Sequence, residues 1–223
     1  MPRKEMYKIK VRIRGCKNID SLGEFIRANN IKLVLFGEYH GFLNQVHVQR
    51  KIIQNVKPDF FLYEMLEEDK ILNDKGAKRF LGKPDNKDFS FISTYGDLKP
   101  IVRLAREFNL PIIGCDIKNM CITDKGWSKR SHKERIATFS HEEGKKMTHK
   151  RELRQSKVIN KYTSKGLVFG VSGCYHVRKN SQVLSKLRDK NAIIVKPLFK
   201  WKEKFNHRKR FKNSEISYII KMI

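Results

Sequence analysis

Gly37-Glu38-Tyr39-His40 closes an apolar run, Leu33-Val34-Leu35-Phe36, with a carboxylate and an imidazole two positions apart. On an extended chain, side chains two apart share a face. An acid beside an imidazole binds a divalent metal or exchanges protons. The G-x-Y-H spacing returns at Gly173-Cys174-Tyr175-His176, again after an apolar run, Leu167 to Val171. Two further apolar runs lead into carboxylates: Phe60 to Tyr63 runs into Glu64, and Pro111 to Cys115 into Asp116. Candidate chemistry therefore stands at four segment ends, on Glu38, His40, Glu64, Asp116 and His176. A single acid after a strand is more often a helix cap, and a single histidine a structural one. The repeated motif is what favours a site.

The apolar runs read as buried strands, and the segments between them as helices. Residues 7–13 alternate apolar and basic, giving a strand with one wet face. Ser21-Leu22-Gly23-Glu24 has capping-box spacing and predicts a short helix to Ala28. Phe42, Val46, Ile52, Ile53 and Val56 predict a helix that stops before Pro58. Residues 67–94 read as a polar loop or small helical excursion. Leu98 to Phe108 predicts a helix, and residues 125–164 two helices broken near Gly144. Val183, Leu184 and Leu187 mark a last helix, Ala192 to Val195 a fifth buried strand, and Ile216 to Ile223 a final apolar run. Alternating strands and helices predict an α/β fold with a mostly parallel central sheet flanked by helices. Such sheets bind ligands beyond the C-terminal strand ends, so the pocket is expected there. No Gly/Pro/Ser-rich linker divides the chain. The expectation is a single α/β domain, 1–223, with a basic C-terminal extension over 196–223.

The 223 residues carry 49 Lys+Arg against 23 Asp+Glu, a formal net charge of +26. Residues 125–154 hold ten basic and four acidic side chains. Residues 196–212 hold eight basic and one acidic, interleaved with Phe199, Trp201, Phe205 and Phe211. That pattern suits phosphate contact and base stacking, so a nucleic acid or other polyanion is a possible partner class. The bland alternative is a solvated basic face. No apolar stretch reaches the ~20 residues of a membrane span. None follows Met1-Pro2-Arg3-Lys4, so a cytoplasmic location without a secretory signal is expected. Four cysteines without a CxxC pair favour reduced thiols over a zinc knuckle.

"LVLFGEYHG", "KPDFFLYEM", "FNLPIIGCD", "RELRQSKVI" and "VFGVSGCYHV", in that order, resemble the Tiki/TraB/ChaN-like superfamily, which includes erythromycin esterases and a toxin domain. The resemblance covers roughly residues 30–200 and rests on the paired G-x-x-H motifs. Residue by residue, Glu38 and His40 match the first motif and Gly173 and His176 the second. Glu64 matches the acid ending the next strand, and Arg151-Glu152 the Arg-acid pair on the helix before the second motif. Gln155-Ser156 stands where the family often has Met-Ala. The long helical insertions of the esterase branch are missing, which argues against macrolide-type substrates.

The resemblance implies a metal-dependent hydrolase of peptide or ester bonds in a small-molecule or peptide substrate. Its divalent ion would be held by His40, His176 and Glu64 or Glu38, with the remaining carboxylate as general base. Catalytic roles fall to Glu38, His40, Arg151 and His176, with Arg151 stabilising an oxyanion or an acidic group. Tyr39, Tyr175 and Asp116 are candidate substrate contacts, and His47 an alternative ligand. A metal-free variant would use Glu38 and His40 directly, and a weaker covalent one Cys174. The second reading is a haem- or iron-binding protein using Tyr39, Tyr175 or a histidine, without turnover.

Overall fold

The computed structural model describes residues 7–38, 45–67, 70–82, 94–117, 141–198 and 216–223. The elements in chain order are β1 (Tyr7–Arg12), α1 (Leu22–Ala28), β2 (Leu33–Glu38), α2 (Gln45–Val56), β3 (Phe60–Glu67), β4 (Ile71–Leu72) and α3 (Asp74–Leu81). There follow α4 (Thr94–Glu107), β5 (Ile112–Asp116), α5 (His141–Thr163), β6 (Val168–Gly173), α6 (Gln182–Ser185), β7 (Ala192–Leu198) and β8 (Ile216–Met222). Among the described residues the strands form one eight-stranded sheet in the order β1-β8-β7-β2-β6-β3-β5-β4. From β7 to β5 every neighbouring pair is parallel. β8 runs antiparallel to β7 and parallel to β1, and β4 antiparallel to β5. The fold is therefore α/β with a mostly parallel mixed sheet, as the alternation of runs predicts.

Period-two alternation separates two cores. Val34, Phe36, Phe61, Tyr63, Phe169 and Val171 face one side, where Leu22, Ile26, Val48, Ile52, Val102 and Ala105 of α1, α2 and α4 pack on them. Leu33, Leu35, Leu62, Ile113 and Ile194 face the other side, beneath Val158 and Ile159 of α5 and Val183 and Leu184 of α6. Burial on both faces is why the central strands are continuous apolar runs. No described helix is long and apolar enough to cross a membrane.

Several local expectations change. Ser21 does not cap α1 with its side chain, because Asn18 takes it. The Ser21 hydroxyl donates to the Asn18 carbonyl at 3.1 Å, and Asn18 Oδ1 accepts from the Ser21 N–H at 3.0 Å. The helix expected over 42–56 is described from Gln45 onward, and residues 39–44 lie outside the described residues. Over 67–94 the small helical excursion is α3, with the short strand β4 added before it and 83–93 outside the described residues. α5 runs through Gly144 unbroken. A glycine costs a helix only ~1 kcal/mol, and Val158 and Ile159 anchor this one to the sheet. Its expected partner lies within 118–140, outside the described residues. Residues 216–222, at the end of the basic stretch, form β8 between β1 and β7.

One buried polar atom bears on stability. Tyr218 is 1% exposed, its ring 5.7 Å from that of Phe36, and its hydroxyl has no hydrogen-bond partner among the described residues. Burial alone pushes that hydroxyl's pKa well up. Tyr218→Phe should stabilise the protein by about 1 kcal/mol, since an unpaired buried hydroxyl forfeits its hydration. In a thermal melt that is a rise of about 2–4 °C. A fall in melting temperature would show that the hydroxyl has a partner.

Candidate functional site

A polar cluster lies where β3, β5 and β6 end under α5, and the register explains its membership. On β3, Leu62 faces α5, so Glu64 does too. On β6, Val168 and Gly170 face α5, so Ser172 joins Glu64. Both are buried. Ser172 Oγ donates to Glu64 Oε2 at 2.6 Å and lies 3.1 Å from Gln155 Oε1. Gln155 Nε2 donates to the same Glu64 oxygen at 3.5 Å.

β3 continues past Glu64 because its backbone slips register against β5 between Tyr63 and Glu67. Such a bulge re-aims side chains. The slipped segment lies directly over Gly114. A Cβ there would sit 1.8 Å from the Glu67 carbonyl oxygen, so this position excludes every side chain.

His176 follows β6 in a tight turn, its N–H donating to the Gly173 carbonyl at 2.8 Å. The turn also locks onto β2, where the Cys174 N–H donates to the Glu38 carbonyl at 2.7 Å. Gly37 permits this approach. A Cβ on it would stand 2.4 Å from Val177 Cγ2 and 3.2 Å from Cys174 Cα. The glycine of the first motif thus makes room for the turn of the second.

The imidazole of His176 lies between two carboxylates. Nδ1 is 3.1 Å from Glu152 Oε1, and Nε2 is 3.7 Å from Glu64 Oε2. Glu152, on α5, also accepts from Arg178 and from the Gln182 N–H at 2.8 Å. Burial pushes the Glu152 carboxyl up. Hydrogen bonds from His176, Gln182 and Arg178 outweigh it and hold the carboxyl below its ordinary value. Nδ1 is turned to Glu152, so Nε2 is the nitrogen that faces Glu64.

Beside this centre, Arg151 donates through Nε to Asp116 Oδ2 at 2.8 Å, and through Nη2 to the same oxygen. Asp116 Oδ1 accepts its neighbour Ile117's N–H. Burial drives the Asp116 carboxyl up. The Arg151 charge opposes this, and the nearby Glu64 charge adds to it, leaving the carboxyl above its ordinary value. Asp116 is 0% exposed, and its described partners are Arg151 and the backbone. Tyr175 stands at the rim, 59% exposed, with the Arg178 guanidinium 4.0 Å above its ring.

The two motifs do not place all their acids together. Glu38 alternates with Phe36 and so faces the other side of the sheet from Glu64. There its Oε1 accepts the Tyr63 hydroxyl at 3.3 Å. Tyr39 and His40 lie outside the described residues. His47 sits on α2, 3.5 Å from Arg50 through Nδ1. Glu64, Asp116, Arg151 and His176 are thus assembled beneath α5, with Tyr175 at the edge. Among the described residues no three His, Cys, Asp or Glu side chains form a metal-holding group.

The sequence analysis matches Glu152 and Gln155 to the helix before the second motif without giving either a site role, and does not single out Ser172 or Arg178. One signal for the helix pair was present. Glu152, Gln155 and Ile159 continue one stripe at spacings of three and four, so the apolar stripe turns polar while staying on the buried face. No family model, curated protein or solved structure matches the chain.

Proposed function

We propose that the chain is a metal-dependent hydrolase of a peptide or ester bond, with His176 and Glu64 at its centre. One observation carries the reading: a buried imidazole whose Nδ1 is held by Glu152 and whose Nε2 faces Glu64 at 3.7 Å. An ion held on Nε2, about 2.0–2.1 Å from it, would present its water to Glu64, which would stay outside the ligand set as the base. A carboxylate behind the far nitrogen is the usual support of a metal-binding histidine. His40, named by the resemblance to the Tiki/TraB/ChaN-like superfamily, is the proposed further donor. A bound divalent ion would supply an acidified water and polarise the scissile carbonyl.

The chain's own groups do the rest. Glu152 fixes the imidazole's orientation and its tautomer. Glu64, aimed by Ser172 and Gln155, is placed to take a proton at Oε2. Asp116 holds the Arg151 guanidinium beside the end of β5, where it can meet developing negative charge.

The test pairs calorimetric titration of zinc or manganese with hydrolysis of activated esters and short peptides, in wild type and His176→Ala. Wild type should bind an ion and turn over. The variant, folded by circular dichroism, should lose both, with affinity falling at least about tenfold. Unchanged binding and turnover in the variant would remove His176 from the mechanism.

A further inference from the structure

β1 and β8 pair so that Lys8, Lys10 and Arg12 stand beside Ser217, Ile219 and Lys221. β8 and β7 pair so that Lys221 stands beside Ile194, and Ile219 beside Lys196. Paired residues share a face. Five cationic side chains therefore share one face of this end of the sheet. Lys8, Lys10 and Arg12 are exposed, and Lys196 and Lys221 half-buried. The opposite face of the same strands carries Tyr218, Ile220 and Val195, which belong to the core. None of the three strands contains Asp or Glu.

A cavity of about 400 Å³ opens on this basic face. Leu184, Ile194 and Met222 give it an apolar lining, and Lys179, Lys196 and Lys221 bring ammonium groups to it. Its volume lies in the small-molecule range. Burial first, and then the Lys221 charge, lower the Lys196 pKa, while Cys174 opposes the change. An anion set between the two ammonium groups would relieve that repulsion. Lys179, which lines the cavity, follows Arg178 in the chain after β6, where Tyr175 exposes a ring with Arg178 stacked on it.

We propose that this face binds single-stranded nucleic acid, with phosphates along Lys8, Lys10, Arg12, Lys196 and Lys221 and one base in the cavity. The row covers two strand spacings, about 10 Å, by four residues, about 13 Å, more than one phosphate group occupies. Repeated cations beside an apolar slot and an exposed aromatic ring match a strand that offers phosphates and unstacked bases together. A duplex keeps its bases stacked inside and leaves the slot empty. The inference stands independently of the hydrolase reading.

Fluorescence anisotropy with a labelled oligonucleotide of about 20 nucleotides, longer than a typical single-strand site, tests it. Lys10→Gln/Arg12→Gln/Lys221→Gln is compared with Lys57→Gln/Lys75→Gln/Arg103→Gln, which removes equal charge from exposed positions elsewhere. The first variant should bind about tenfold more weakly, and its slope of log K against log salt should shrink by about 2, at ~0.7 per lost contact. The second should stay within about twofold of wild type. The exposed pair Lys8→Gln/Lys10→Gln should reduce the slope by about two-thirds as much as the first variant, so the outcome does not depend on Lys221, which is half-buried. Equal weakening by both triple variants would assign binding to overall charge and overturn the proposal. So would equal affinity for a duplex at matched phosphate, or binding to phosphatidylserine vesicles without binding to the oligonucleotide.

Discussion

Glu64→Gln should lower hydrolysis by about 10²–10⁴-fold, the range for loss of a positioned general base or acid. The change is nearly isosteric. The new side-chain oxygen can still accept from Ser172, and burial favours a neutral group at a position 1% exposed. Stability should therefore hold or rise while activity collapses. A purely structural Glu64 gives the reverse pattern, with lower melting temperature and little change in kcat. A double-mutant cycle with His176→Ala separates the cases further. Two groups acting on one reacting centre should be grossly non-additive, the double variant losing little more than the worse single one. Additive losses would place the two residues in separate roles.

The sheet is legible because physics writes it twice, in apolar content and in length. Leu33 to Phe36, Phe60 to Tyr63 and Leu167 to Val171 are continuous because helices cover both faces. The same continuity hides which side chain faces which helix layer. An alternating strand announces its phase, but an all-apolar one does not. That is why Glu38 and Glu64 read as neighbours when the sheet separates them. Glu64 ends an apolar run without ending β3, since Ser172 and Gln155 satisfy its carboxylate inside the sheet.

Of the site, the G-x-Y-H echo located His176, and the glycine that opens the first motif, Gly37, is where Val177 and Cys174 approach. The role of Glu152, matched only as half of an Arg-acid pair, and the place of Arg178 stay hidden for a different reason. In a chain with 49 Lys+Arg, another acid or arginine on a charged segment carries no contrast. Their burial and mutual contact depend on how α5 lies across β6, a long-range arrangement that local periodicity does not encode.

Glu152→Gln should destabilise the protein by about 2–3 kcal/mol at neutral pH, because it weakens charge-assisted bonds to Arg178, Gln182 N–H and His176 at once. The range sits below that of a fully buried pair because the Arg178 side chain is 36% exposed, where water screens it. The pH dependence follows from the sign of the shift. The folded-state pKa of Glu152 lies below the ordinary glutamate value. In that window the unfolded chain binds more protons, so stability from this group rises with pH. It is complete above the ordinary value of about 4.3 and disappears as pH falls through the lower folded value. The melting-temperature gap between wild type and Glu152→Gln should therefore be full at pH 7 and close under acid. Asp116 contributes with the opposite sign. Its raised carboxyl favours the folded state at low pH, and that contribution is lost as pH rises through the folded value. Because Asp116 is common to both proteins, the difference between them isolates Glu152. A gap that stayed constant down to pH 3, or none at pH 7, would mean that Glu152 does not hold His176 and Arg178 as a charged acceptor. His176 would then lose the support that makes its Nε2 a credible ligand or proton carrier.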